Sequence, residues 1–238
     1  MSSAHSLHSA SNALLAFDTS TETMFIAVTD GKQTWQHTAE GGAKTSAALI
    51  PAIMALLKEA NLSLQRLDAI VFGRGPGSFT GLRTACSVAQ GLAFGAGGIL
   101  VLPINTLLAV AEEARFTLGE AADATRIHAV LDARMGEVYA ASFTYSGDVW
   151  QANSATQLCK PEQLHIEAGF SLAGNCLDDQ NRIHVLPTAT AMLRLAPAML
   201  AAGLGVSAEL ALPLYIRDKV AQTTAERAAI KLNMAATN

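Results

Sequence analysis

The sequence is poor in aromatic residues and in charge. Of its 238 residues, 5% are aromatic and 15% are charged, where an ordinary soluble domain carries about 25% charged residues. Half the chain is nevertheless apolar. The core must therefore be built from aliphatic side chains and alanine, which suits helices packed on a sheet. No run of Lys and Arg occurs and the net charge is −4. Autonomous nucleic-acid binding is not expected, because neutralising phosphates needs clustered cations. Three cysteines, Cys86, Cys159 and Cys176, are widely spaced and form no CxxC pair. That pattern predicts a reduced, cytoplasmic protein without a structural metal site. The longest apolar run, residues 92–104, is interrupted by Gly95, Gly97, Gly98 and Pro103, too short and broken to span a bilayer. The opening MSSAHSLHSASN lacks the basic and apolar regions of a secretory signal. Residues 1–12 are expected to form a disordered Ser/His-rich tail.

What is present is a pattern of strands and helices that begins twice. Residues 13–17 form an apolar strand, followed by a polar turn, Asp18-Thr19-Ser20-Thr21-Glu22. Residues 23–29 and 33–38 form two more strands, joined at Asp30-Gly31. A helix is predicted over 44–60, with a kink or late start at Pro51. A buried strand at 67–72, a helix at 79–95, a strand at 99–102 and a helix at 105–116 follow. At Ile127 the opening recurs: strand, Asp132, a turn, a strand at 137–145, the turn Ser146-Gly147-Asp148, and another strand from Val149. AFDTSTETMFIAV and VLDARMGEVYAAS align Asp18 with Asp132 at an offset of 114 residues. The repeat predicts a duplication, with two βββαβα halves giving two α/β lobes. The chain divides into an N-terminal lobe over 13–104 and a smaller C-terminal lobe over 105–238. The latter has a helix at 188–202, an extended stretch at 212–217 and a terminal helix at 224–234 that could return to the first lobe.

The stretch VFGRGPGSFTGLRTACSVAQGLAFG poses the main chemical question. A glycine-rich turn between a strand and a helix can cradle phosphate. A P-loop, however, needs a lysine at the helix start, and Ser78-Phe79-Thr80-Gly81-Leu82-Arg83 has none. The dinucleotide fingerprint fails as well, because Ser78 stands where its last glycine belongs. The residues fit a tight Gly75-Pro76-Gly77 turn with Ser78 or Thr80 as helix cap. Arg74, Gly75, Gly77, Ser78 and Arg83 are the candidates for a shared anion or nucleotide contact. Asp18 and Asp132 have two readings. They could position metal and water around phosphate, or each could cap its turn through backbone N–H groups. The turns that follow lack phosphate-cradling glycines or lysine, which favours capping.

Taken together, FDTST, GRGPGSFTGLR with AQGLA, DARMGEVYAA and PLYIRDKVA resemble the TsaB (YeaZ) family within the actin-like superfamily. The resemblance covers roughly residues 14–220 and rests on four motifs in order. It implies two duplicated actin-like, ribonuclease H-like lobes. It also implies a non-catalytic subunit in the synthesis of threonylcarbamoyladenosine beside the tRNA anticodon. The expected partners are a catalytic TsaD-like sister, a TsaE-like ATPase and, alone, a second copy. Contact with tRNA would be indirect. No cofactor is expected on this chain by itself; ATP or ADP with magnesium belongs, if anywhere, to the assembled complex. The sister's metal-binding N-H-x-E-x-H stretch falls here on Asn105–Val110, placing its histidines at Thr106 and Val110. His37, His128, His165 and His184 are scattered and form no substitute pair. The other readings are a stand-alone actin-fold ATPase or kinase and, poorly, a glycoprotease-like metallopeptidase.

Two helices are suited by sequence to docking. The first carries Leu49, Ile53, Leu56 and Leu57, and after Lys44 its charge comes only at its end, at Lys58 and Glu59. The second carries Leu82, Cys86 and Ala89 among small residues. The low charge of the chain points to these residues as a partner interface, against the plainer reading that they are core. Arg134 and Glu137 flank the second turn. They are expected to pair or to reach another element, and the resemblance adds a partner contact.

Overall fold

The computed structural model describes residues 12–119, 125–177 and 182–217. Residues 1–11 of the expected 1–12 tail and the expected helix at 224–234 lie outside them. Five strands form the first sheet: β1 (Leu14–Asp18), β2 (Thr23–Thr29), β3 (Thr34–Glu40), β4 (Ala69–Gly75) and β5 (Leu100–Asn105). Their spatial order is β3-β2-β1-β4-β5, with β1 antiparallel to β2 and parallel to β4. The second sheet contains β6 (Thr125–Arg134), β7 (Glu137–Ser146), β8 (Val149–Ala152), β10 (Ser171–Gly174) and β11 (Ile183–His184). Its order is β11-β10-β6-β7-β8, and the short β9 (Gln157–Cys159) pairs with β7. Counted within each half, and leaving out the short β9, both sheets read 3-2-1-4-5. The repeat seen in the sequence is thus a repeat of topology.

The halves are not equal. The first contains α1 (Thr45–Glu59) and α2 (Phe79–Gly95), and α3 (Thr106–Leu118) follows β5. The second has no α-helix among its described residues until α4 (Ala189–Ala201). A complete βββαβα pattern therefore holds for the first half alone. Among the described residues between β8 and β11 the second has β9, a 3-10 turn at Pro161–Gln163 and β10, and no α-helix.

Strand alternation decides which side chains go where. Leu15 and Phe17 of β1, with Met24, Ile26, Ile70 and Phe72, face α1 and α2. Leu14 and Ala16, with Val71, Leu102 and Ile104, face α4 through Met192, Leu195 and Ala196. Leu107, Val110, Ala111 and Ala114 of α3 pack instead on Ile127, Ala129 and Leu131 of the second sheet. Each middle helix thus follows one sheet in sequence and covers the other in space.

Between α3 and α4 lies a buried ionic cluster. Glu112 accepts two hydrogen bonds from Arg115, both 2.9 Å, one from Arg194 at 2.8 Å and one from Trp150 Nε1 at 3.0 Å. Glu113 accepts from Arg194 at 2.6 Å and from Thr188 at 2.7 Å. Burial pushes the Glu112 carboxyl up, but the bonds from Arg115, Trp150 and Arg194 outweigh it and hold it below its ordinary value. The cluster ties both halves together.

Pro51 lies inside α1 on its exposed side. The Ala47 carbonyl that it leaves without an N–H partner is on the same exposed face, where water can bond it. The helix starts at Thr45 after a short 3-10 turn, Gly42–Lys44.

Candidate functional site

The residues expected to dock a partner are core residues. Leu49, Ile53 and Ala89 have no exposed surface, and Leu56, Leu57, Leu82 and Cys86 are buried. Their spacing of three and four places them on the faces of α1 and α2 that cover the first sheet. Expecting them at an interface was therefore wrong: low charge cannot say which side of a helix is turned inward. The outward stripe of α1 is Ala47, Ile50, Pro51, Met54 and Ala55. Ile50 and Met54 are 44% and 47% exposed, and Phe94 near the end of α2 is 83% exposed. Between Lys44, at the start of the helix, and Lys58 this face carries no charge.

A cleft of about 480 Å3 opens between the sheets on another side of the molecule. One wall comes from the β1–β2 turn and the start of α2, including Ser20, Glu22 and Ser78. The other comes from the β6–β7 turn, including Asp132 and Arg134. The opening loop forms a rigid corner of this cleft. Ser78 caps α2, its Oγ accepting from Gly81 N–H at 3.4 Å. Ser78 N–H donates to the Ser20 carbonyl at 2.8 Å. A Cβ on Gly77 would stand 2.5 Å from Ser20 Cβ, and one on Gly75 would stand 2.6 Å from the Leu214 carbonyl oxygen. These glycines permit close packing of the chain on itself.

Asp18 does not line the cleft. It has no exposed surface. Its Oδ1 accepts from Ser20 N–H at 2.9 Å and Ser20 Oγ–H at 2.6 Å, while Oδ2 has no partner. Burial pushes its carboxyl up to about 6, against the smaller lowering effect of the Ser20 bonds. Asp132 has a partly exposed side chain on the cleft wall, and its Oδ1 accepts from Arg134 N–H at 2.8 Å. Both residues cap their turns, and the two carboxylates do not face each other as a pair.

The cations also differ from expectation. Arg74 and Arg83 are not on the cleft wall. Arg83 lies over the Phe79 ring, 3.8 Å from its centroid, and its Nε donates to Tyr215 Oη at 3.2 Å. Arg74 Nε is buried without a hydrogen-bond partner. The arginines that line the cleft are Arg134 and Arg217. Arg134 and Glu137 do not pair with each other. Arg134 crosses the cleft to Glu22, and Arg217 pairs with Glu137 at 2.7 Å. Both cleft arginines are thus already neutralised by carboxylates, which leaves poor electrostatics for a polyphosphate. The pairing of Arg217 with Glu137 carried no signal in the sequence, because 80 positions separate the two.

The expected metal-ligand places hold a different structure. Asn105 caps α3, its Oδ1 accepting from Leu107 N–H at 2.8 Å and Leu108 N–H at 3.4 Å. Thr106 and Val110 are fully buried, and Thr106 Oγ1 accepts from Gly75 N–H at 3.1 Å. Among the described residues no three His, Cys, Asp or Glu side chains group as metal ligands. His184 lines the cleft, whereas His37, His128 and His165 do not.

Residues 32–236 match the family model described as TsaD: tRNA N6-adenosine threonylcarbamoyltransferase. The chain is 32% identical to the tRNA threonylcarbamoyladenosine biosynthesis protein TsaB of Escherichia coli K12, over 87% of this chain and 96% of that protein. It is 35% identical to the protein of the same name from Haemophilus influenzae, over 87% and 94%. The solved structure of YeaZ from Pseudomonas aeruginosa superposes with a TM-score of 0.77 at 33% identity, covering 86% of this chain and 99% of that one.

Proposed function

Since the chain belongs to the TsaB (YeaZ) family, with its actin-like, ribonuclease H-like fold, we propose that it serves threonylcarbamoyladenosine biosynthesis on tRNA as a binding subunit rather than a catalyst. Its partner is a TsaD-like sister, joined by a TsaE-like ATPase, and a second copy takes the same place when the sister is absent. The observation that carries this reading is the uncharged outer stripe of α1, with Ile50 and Met54 about half exposed. An apolar stripe on a helix that already buries its other face is suited to covering by another protein. Three further features support a non-catalytic role. Asp18 is sealed from the cleft. Arg134 and Arg217 are engaged by Glu22 and Glu137. Thr106 and Val110 occupy the places of the sister's histidines. Nucleotide and magnesium then belong to the complex, and contact with tRNA to the partners, in keeping with the net charge of −4.

The test is light-scattering mass on a sizing column, for the chain alone and mixed with the TsaD-like protein of the same cell. A mixed complex is expected. Ile50→Glu combined with Met54→Glu should abolish it while leaving the melting temperature within a few degrees of the parent. A complex untouched by that double change moves the docking surface elsewhere. No complex, together with magnesium-dependent ATP hydrolysis by the lone chain, overturns the reading.

A further inference from the structure

Residues 211–217 have no regular secondary structure, yet they are bonded along their length to both halves. At one end Ala211 is fully buried, and its carbonyl accepts from Cys86 Sγ at 3.0 Å and Gln90 Nε2 at 3.1 Å, both on α2. In the middle Leu214 N–H donates to the Arg74 carbonyl at 2.7 Å, which ties the segment to the end of β4. Tyr215 stacks on Phe79 with ring centroids 5.1 Å apart and accepts from Arg83. At the far end Arg217 crosses to the second half. It donates to the Ala133 carbonyl at 2.9 Å and pairs with Glu137 at 2.7 Å. Leu214, Tyr215, Ile216 and Arg217 all line the cleft.

We propose that this segment is a strap that rides on the first half and latches the cleft closed through Arg217. Opening the cleft moves the β6–β7 turn away from the β1–β2 turn, so the strap must let go at one end. The anchors to α2 and β4 comprise a buried residue, a ring stack and four hydrogen bonds. The anchors to the second half are two neighbouring side chains at the end of the segment, Arg217 and Ile216, the latter partly buried against the core of the second sheet. Release therefore occurs at this end, and Arg217 supplies its polar hold. The second tie across the cleft, Glu22 with Arg134, joins side chains 70% and 65% exposed, and such pairs hold little. Arg217 and Glu137 are 16% and 28% exposed, and their pair is reinforced by the bond to the Ala133 carbonyl. It is the stronger tie. The proposal does not depend on the function proposed above.

Hydrogen exchange read by mass spectrometry on the full chain tests it. In Arg217→Gln and in Glu137→Gln, protection of a peptide spanning 131–139 should fall about tenfold. Protection of peptides covering 208–216 and α2 should stay at the parental level. The double exchange Arg217→Glu with Glu137→Arg should restore much of the protection at 131–139. Melting temperatures of all variants separate a local release from a general loss of fold. Unchanged exchange at 131–139 in both single variants rules out the latch. An equal rise along 208–216 rules out a strap that stays with the first half. Failure of the double exchange to restore protection removes the ion pair from the device.

Discussion

The two halves share a strand order and an aspartate at the end of the first strand, but differ in what covers them. The first sheet lies between two layers, α1 with α2 on one face and α4 on the other. The second has α3 on its inner face, while among the described residues its outer core is Val130, Ala140 and Leu172 under Leu164, Ile166, Cys176 and Leu177. Asp18 is sealed beneath the thick half, and Asp132 reaches the cleft from the thin one. The difference shows what each duplicate is for. The first is a rigid slab that holds a helix pair outward. The second supplies the far wall of the cleft and one of the helices that complete the core.

This contrast can be broken most severely at α1. Leu49→Ala should cost about 3–5 kcal/mol in urea unfolding, because it opens a void between two well-packed layers. Leu172→Ala, under the irregular cover of the second sheet, should cost about half as much, since loosely held chain can collapse into the space. Equal losses would mean that the thin cover is packed as tightly as the helices.

The cluster joining the halves comes next. Glu112→Gln should cost about 3 kcal/mol, since it leaves Arg115 facing a neutral partner and Arg194 with Glu113 as its one carboxylate. The Glu112 carboxyl is held below its unfolded value. Its contribution is therefore present above the unfolded pKa and lost as pH falls through the folded one. The stability profile of the Gln variant on the acid side should be correspondingly flatter.

The two aspartates sharpen the comparison further. Asp18 titrates near 6 in the folded protein against 3.8 unfolded, so the folded state binds the extra proton between those values. Stability should fall as pH rises from about 4 to 6 and stay level above. Asp18→Asn keeps the acceptor for Ser20 and removes the buried charge. It should raise stability by about 2–3 kcal/mol at pH 8 and abolish that slope. Asp132→Asn should change stability by less than about 0.5 kcal/mol. A loss of stability in Asp18→Asn would show that the buried carboxylate is compensated in a way its bonds do not reveal. Glu22→Gln should also have a small effect, below about 1 kcal/mol, and it should vanish in high salt.

Much of this architecture was legible in the sequence. The strands of the first half, α2 and the recurrence at Asp132 followed from alternation and turn residues, which are local signals. Which face of α1 turns inward was not legible, because Leu49–Ile53 and Ile50–Met54 are equally apolar stripes. Nothing in the sequence marks Glu112, Arg115 and Arg194 as one cluster. The spacing of Glu112 and Arg115 marks only a local pair, and Arg194 joins them from 82 positions away. The cleft latch was hidden for the same reason: Arg134 and Glu137 are neighbours in sequence, yet their partners, Glu22 and Arg217, come from distant parts of the chain.

The exchange of α3 and α4 between the sheets bears on how the protein is made. The five strands of the first sheet are complete once Asn105 has been synthesised, but the face formed by Ala16, Val71 and Leu102 waits for α4, which ends at Ala201. At ordinary ribosomal speeds that interval is about 5–20 seconds. A nascent chain of this protein thus spends several seconds with half its first core exposed, and it is then that it most needs a chaperone.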